Sequence, residues 1–342
     1  VPTETRQLHA VGVKDVAALA RVSPGTVSNV LNHPDRVSAD ARHRVEDAIR
    51  KLGFVRNHAA RQLRVGHSRM VGLIVLDMSN PFFTDVARGA DDACEDFGTA
   101  VLVGNSDQTL TRERRYLEAF EEQRVRGVLL SPVGDATQGV QRLVSQGIPV
   151  VLLDHPAPAG SAIPSISMDD EMGGWLAARH LIAQGRTRLS FVGLARPALG
   201  QVQARLAGVR RAVAESPGVN LELTPPPDVS MAAGRTAAEA LIRRAEPLPD
   251  GIICPTDIIA LGVLHALLVA GIDVPGQTAV IGYDDIETAA TAAVPLSTVR
   301  QPAREMGATA VRLLEQILSG DQSSENSQIV FQPELIVRST TA

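Results

Sequence analysis

Residues 13–32 read VKDVAALARVSPGTVSNVLN. Val16, Ala17 and Ala20 share one helical face at i, i+1 and i+4. The pattern breaks at Arg21-Val22-Ser23 and a second one begins. Ser23 supplies an N-cap oxygen, and Pro24 suits the first helical position, where a missing N–H leaves no bond unmade. Val27, Val30 and Leu31 form the buried face of this second helix. Two short helices joined by about three residues predict a helix-turn-helix, whose second helix is shaped to enter a major groove. A third helix follows. Ser38 caps it, Val45, Ala48, Ile49 and Leu52 repeat at i, i+3, i+4 and i+7, and Gly53 supplies a left-handed stop.

Periodicity alone fits a helical hairpin with a solvated face equally well. The polar face of the second helix moves the balance. Thr26, Ser28, Asn29 and Asn32 are short donors and acceptors, suited to phosphates and base edges. Gly25 permits close backbone approach, and Pro24 offers only apolar contact, of the kind a thymine methyl accepts. Ser23, Pro24, Gly25, Thr26, Ser28, Asn29 and Asn32 are therefore the candidate DNA contacts of this helix.

Charge is divided in the same way. The 342-residue chain carries a formal net charge of −5, which by itself argues against a polyanionic partner. Residues 1–65, however, hold 11 Lys and Arg against 6 Asp and Glu, and the remainder holds 22 against 32. A small basic head on an acidic body confines nucleic-acid contact to the head. Arg outnumbers Lys 31 to 2, so no single Arg is diagnostic. Cys94 and Cys254 are too few for a disulfide framework and read as reduced, structural residues. No apolar run approaches the roughly 20 residues that span a bilayer, and no basic-then-apolar segment reads as a signal peptide. A cytoplasmic protein without membrane contact is expected.

The stretches VKDVAALARVS, TVSNVLN, VSADARHRVEDAIRKLGF and NHAARQLRVGHS resemble the N-terminal region of the LacI/GalR family of bacterial transcription regulators over roughly residues 12–70. That resemblance implies a second reader at residues 57–65, NHAARQLRV. Asn57 can cap a short helix containing Ala59, Ala60 and Leu63, too short to be stable alone in water. In the family such a hinge helix forms on DNA, pairs with its copy in the minor groove, and wedges a leucine between base pairs. Asn57, Ala60 and Leu63 join the DNA-contacting candidates on that basis. The bland reading of the segment is a flexible linker. Two positions depart from the family: Asn29 stands where Arg or His is usual, and Arg56 where Pro is usual.

Beyond residue 69 the pattern changes. Apolar strand candidates occur at 70–77, 99–105, 127–133 and 149–155, then at 188–194, 250–256 and 278–284. Amphipathic segments lie near 83–97, 111–124, 136–146, 170–184, 201–215, 231–245, 257–271 and 302–319. Continuous apolar strands alternating with helices predict parallel sheets covered on both faces. The expected architecture is an all-α helix-turn-helix domain with a hinge helix, then an α/β sensor of two doubly wound parallel-sheet lobes. The family's sensor, which resembles sugar-binding periplasmic proteins, has this layout, with three crossings placed here near 165, 298 and 328. Expected boundaries are a disordered leader at 1–11, the DNA-binding domain at 12–56, the hinge at 57–68 and the effector-binding and dimerisation domain at 69–342. Within that domain the first lobe takes 69–165 and 298–328, and the second 166–297 and 329–342.

Ligands of open α/β sheets bind beyond the carboxyl ends of the strands. Asp77, Asp154, His155, Thr256, Asp284 and Asp285 stand at such ends, and Arg205 opens a helix. Carboxylates with one Arg are suited to holding hydroxyl groups. A lone Asp at a strand end is more often a turn or cap residue; several at equivalent ends point to a site. By resemblance, Asp77, Asp154, Arg205, Thr256 and Asp284 fall on ligand-contacting positions, with Phe82 and His155 close by. Phe82 and Phe83 suit either an apolar wall or core packing. Val229 stands where the family often has an aromatic, and His155 where the purine-responsive branch has one. Trp175 reads as packing or a partner surface. The expected effector is a small polar molecule, a sugar or sugar derivative, with no cofactor and no metal.

Three functions compete. An enzyme would need a nucleophile–base set or a phosphate loop, and no Gly-x-Ser-x-Gly, Walker motif or metal-spaced His/Cys cluster occurs. A transporter's solute-binding protein would have a signal peptide and no basic head. A ligand-switched repressor explains both halves: a homodimer, or a tetramer, holds two heads on a pseudo-palindromic double-stranded operator. A purine-responsive, co-repressed regulator is the nearest variant of that reading.

Overall fold

The computed structural model describes residues 11–54, 68–134, 137–193, 200–244, 246–320 and 327–342. The chain divides into two compact units, Val1–Gly66 and His67–Ala342.

The first unit is helical. Helix α1, Val13–Ala20, begins where the Asp15 carboxylate accepts the Gly12 N–H at 2.8 Å and ends at Arg21 in the left-handed region, φ 54°. Helix α2, Pro24–Asn32, starts on Ser23, whose hydroxyl accepts the Thr26 N–H at 3.0 Å. After a 3₁₀ turn at Pro34–Arg36, α3 runs Ala39–Leu52, capped by Ser38 and closed by Gly53 at φ 60°. Val16, Ala17, Ala20, Val27, Val30, Val45 and Ala48 close into one core, with Phe54 as an eighth member. Leu31 packs on the edge of this core and stays half-buried, rather than lying fully on the buried face of α2.

The second unit holds two six-stranded sheets. The first is built from β1 (Met70–Val75), β2 (Ala100–Asn105), β3 (Gly127–Leu130), β4 (Val150–Leu153), β5 (Ser165–Met168) and β11 (Gln328–Phe331), in the order β11-β5-β4-β3-β1-β2, all parallel. The second is built from β6 (Arg188–Phe191), β7 (Asn220–Leu223), β8 (Gly251–Ile253), β9 (Ala279–Asp284), β10 (Ser297–Arg300) and β12 (Glu334–Ile336). Its order is β12-β10-β9-β8-β6-β7, and only β12 runs antiparallel. The five strands that no apolar run had marked, β5, β7, β10, β11 and β12, are only three or four residues long, and β5, β7 and β10 are rich in polar side chains. The chain leaves the first sheet after Met168, returns after Arg300 and crosses again after Phe331, each a few residues beyond the positions read from the sequence.

Helices α4 (Pro81–Asp96) and α12 (Ala303–Ser319) cover one face of the first sheet, packing on Leu73, Leu129 and Val151. Helices α5 (Leu110–Glu122) and α6 (Thr137–Ser145) cover the other, on Ile74, Leu130 and Leu152. Burial on both faces is why these strands read as continuous apolar runs. In the second lobe α7 (Asp170–Ala183) pairs with α8 (Gly200–Ala214), and α9 (Met231–Arg243) with α10 (Asp257–Val269). A short α11 spans Glu287–Thr291. Helices α4 and α12 cross at Gly89 and Gly307, where a Cβ on either would overlap the carbonyl of Arg304 or Val86. The α7–α8 crossing repeats this with Gly174 and Gly208 against Arg205 and Glu171. Arg205, read from the sequence as opening a helix, is the sixth residue of α8 and lies at this crossing.

Candidate functional site

In the helical unit, Ser23, Pro24, Gly25, Asn29 and Asn32 are exposed, and Thr26 and Ser28 half-buried. Several of these groups satisfy one another. The Ser23 and Thr26 hydroxyls are 3.0 Å apart, and Asn32 Nδ2 donates to the Ser28 carbonyl at 2.8 Å. Asn29 has the one side-chain amide on this face with no such bond among the described residues. Arg42, Arg44 and Arg50 pair with carboxylates of their own helix. Arg21 and Arg36, both exposed, flank α2 at its two ends. A face with one unengaged amide between two exposed guanidiniums suits a base edge between phosphates. Asn57, Ala60 and Leu63 lie outside the described residues.

Between the lobes of the second unit is a cavity of about 60 Å³. Asp77, Phe82, Asp154, Arg205, Thr256 and Asp284 all line it. Of the expected set only His155 does not. Its ring is half-buried and paired through Nδ1 with the Pro156 carbonyl at 2.7 Å. Asn80, Gln108, Gln201 and Gln301 complete the polar lining; Phe83, Val202 and Val229 add apolar wall. Gln201 stands four residues before Arg205 on α8, so the helical period already placed it on the same face. Asn80 and Gln301 carried no comparable signal.

Arg205 is the centre, at 4% exposed. Nε donates to Asp170 Oδ1 at 2.7 Å and Nη1 to the Pro255 carbonyl at 2.6 Å. The guanidinium lies 3.6 Å over the Tyr283 ring, and Nη1 is 3.9 Å from Asp284. Three hydrogen bonds join the lobes across the cavity: Asn80 Nδ2 donates to Asp284 Oδ2 at 3.2 Å, and Gln201 Nε2 to the Asp154 carbonyl at 2.5 Å and to Asp154 Oδ2 at 3.3 Å. Gln301, on the second crossing, donates to Asp284 Oδ1 at 2.8 Å. Two buried acceptors at the cavity have no donor among the described residues, Asp154 Oδ1 and Gln301 Oε1.

The electrostatics follow from burial. Desolvation pushes Asp284 up to about 6, although Arg205, Gln301 and Asn80 pull it down. Desolvation, then the Asp170 charge, holds Asp154 well above the usual carboxylate range. Asp170 is raised by burial against the pull of Arg205. For Arg205 desolvation alone would lower the pKa; Asp170, Tyr283, Asp284 and Asp154 outweigh it and keep the guanidinium charged. Three cavity residues, Gln108, Asp154 and Asp284, hold left-handed backbone at φ 54°, 54° and 113°. Such strain persists where the surroundings hold it in place, as ligand sites do.

The neighbouring strand-end acids play other parts. Asp77 accepts from the Ser79 N–H and hydroxyl at 2.8 and 2.9 Å and so shapes its turn while lining the cavity. Asp257 is fully buried and braces Thr298 at 2.7 Å and the Ile286 N–H at 3.0 Å. Asp285 is tied to Arg300 and Arg338. Among the described residues no group of three His, Cys, Asp or Glu could hold a metal ion, and no helix is long and apolar enough to cross a membrane.

Comparison with known proteins places both units. Residues 12–57 match the family described as bacterial regulatory proteins, lacI family, and residues 178–341 a periplasmic binding protein-like domain. The chain is 32% identical over 340 residues to the HTH-type transcriptional repressor PurR of Aliivibrio fischeri (strain MJ11), covering 96% of this chain and 97% of that one. It is 34% identical to the ribose operon repressor of Bacillus subtilis (strain 168), covering 92% and 94%. Among solved structures, the Lac repressor dimer bound to operator and the anti-inducer ONPF superposes with a TM-score of 0.81 at 25% identity, covering 97% and 99%.

Proposed function

The chain belongs to the LacI family of bacterial regulatory proteins, and from that premise we propose that it is a dimeric repressor whose operator affinity is set by a hydroxyl-rich small molecule in the interlobe cavity. It is a DNA-binding transcription regulator and not an enzyme. The effector is a sugar or sugar derivative, and the protein works in the cytoplasm. The observation that carries this reading is the cavity itself: one buried Arg205 among Asp154, Asp170 and Asp284, with two unpartnered acceptors, Asp154 Oδ1 and Gln301 Oε1. Sugar hydroxyls supply the donors those atoms lack.

The cavity is small beside the roughly 300–1,000 Å³ of ordinary ligand pockets. Admission of a sugar therefore requires the Asn80–Asp284 and Gln201–Asp154 bonds to part. Effector binding and lobe separation are thereby linked, and the effector changes operator affinity through its different affinity for the two arrangements. Residues 57–65 carry that change to DNA as a hinge helix, with Leu63 as the wedge. Pairing of two chains is supported by the outer edge strands, β2 and β7, which carry exposed Val103 and Leu223.

The test is a thermal-shift panel on the full chain, followed by gel shifts on its operator. The panel holds pentoses and hexoses alongside hypoxanthine and guanine, the bases included because of the 32% identity to the PurR repressors. Stabilisation by a sugar, with a change in operator affinity, is expected. Stabilisation by a purine base and by no sugar would overturn the carbohydrate reading.

A further inference from the structure

We propose that the cavity selects against negative charge: its effector is a neutral or cationic polyol, and the phosphate ester or aldonate of the same sugar is rejected. This rests on the carbohydrate reading above and narrows it. Among the described residues, three carboxylates line the cavity, Asp77, Asp154 and Asp284, against one cation, Arg205.

That cation is already partly engaged. Nε is committed to Asp170 and Nη1 to the Pro255 carbonyl, and the Tyr283 ring covers one face of the guanidinium. Its charge is spread over Asp170 and Asp284, both buried. An incoming anion would meet only the N–H groups that these partners leave over, beside two buried carboxylates that water does not screen.

Two other ordinary anion holders are also occupied. The N-termini of α4, α8 and α10 border the cavity, and this chain's own side chains cap those of α4 and α10. Asn80 Oδ1 accepts the Phe82 N–H of α4 at 3.0 Å, and Thr256 Oγ1 the Ile259 N–H of α10 at 3.4 Å. Two acceptors of the cavity lack a donor. Asp154 is 5% and Gln301 4% exposed, and each has a buried oxygen without a hydrogen-bond partner. A hydroxyl or ammonium group satisfies such atoms; a phosphate or carboxylate repels them.

The experiment measures binding to the full chain by titration calorimetry at pH 7.5 and about physiological ionic strength. Three sets are compared: ribose, ribose 5-phosphate and ribonate; glucose, glucose 6-phosphate and gluconate; and glucosamine beside glucose. For the neutral sugar that binds, its phosphate and aldonate should bind on the order of 100-fold more weakly. If glucose binds, glucosamine should bind at least as well. The double variant Asp154→Asn, Asp284→Asn should shrink the ratio between a neutral sugar and its anionic form to under about tenfold. A phosphate or aldonate that binds as tightly as its neutral parent would overturn the charge selection and leave the carbohydrate reading standing. Failure of every sugar, whatever its charge, would overturn both.

Discussion

Replacing Asp284 by asparagine should stabilise the sensor at neutral pH while impairing its response to the effector. Asp284 is 4% exposed, and burial moves its pKa from 3.8 to about 6. A carboxylate whose pKa is raised on folding binds more protons in the native than in the unfolded chain. Stability therefore falls as pH rises between 3.8 and about 6, and the full cost is present above that window. Each pKa unit is worth about 1.4 kcal/mol, so a shift of about two units costs roughly 3 kcal/mol at pH 7.5.

Asparagine stays neutral and escapes that cost. The surroundings can accept it. Gln301 donates to Oδ1 and Asn80 to Oδ2, while Gln301 Oε1 has no partner. Turning the Gln301 amide over lets that oxygen accept from the new NH2, and Asn80 keeps its acceptor. We expect a gain of about 2–3 kcal/mol at pH 7.5, shrinking steadily as pH falls toward about 4.5. Urea denaturation followed by Trp175 fluorescence reads this directly, because the chain has one tryptophan and it lies in the sensor. A variant less stable than the parent at pH 7.5, or a gain that does not shrink with acidification, would refute the reasoning.

Three further outcomes are expected. Arg205→Met strands Asp170 and Asp284 without their cation and should cost about 3–5 kcal/mol in the same denaturation assay, with the effector response lost; a cost below about 1 kcal/mol would show that the carboxylates had simply taken up protons. Asn29→Arg should move the preferred operator base from adenine toward guanine at one position of each half-site, by about 1–3 kcal/mol in a gel-shift comparison, because a side-chain amide matches adenine N6 and N7 and a guanidinium matches guanine O6 and N7. An unchanged base preference would mean Asn29 touches only backbone. Gly307→Ala sets a methyl against the Val86 carbonyl and should lower the melting temperature, consistent with overpacking costs of about 1–3 kcal/mol; an unaltered melting temperature would mean that α4 and α12 separate freely.

The helix-turn-helix was legible because its determinants are local. A cap at Ser23, a proline behind it, a break at Arg21 and the spacing of Val16, Val27, Val30 and Val45 all act within a few turns of one another. The long central strands were legible for a related reason: burial on both faces writes an unbroken apolar run. Strands β5, β7, β10, β11 and β12 were not, since SISM or STVR becomes a strand only when a neighbouring strand supplies its hydrogen bonds. The strand-end acids were recognisable as a class but not separable within it. Asp77, Asp154, Asp257, Asp284 and Asp285 look alike in sequence, yet Asp257 braces a loop, Asp285 holds two arginines, and Asp77, Asp154 and Asp284 line the cavity.

What the sequence determined alone is a basic three-helix head, an acidic α/β body and the kind of residue that ends its strands, because chain periodicity, caps and charge are written in neighbouring positions. Tertiary structure decided which of those residues meet. Arg205 finds Asp170 35 positions back, Asn80 reaches Asp284 across 204, and His155 turns instead to the adjacent Pro156 carbonyl. Such meetings depend on strand order and on where the chain crosses between lobes, and no local pattern encodes either. The same crossings bury the carboxylates, and burial is what gives otherwise identical aspartates different charges and different work.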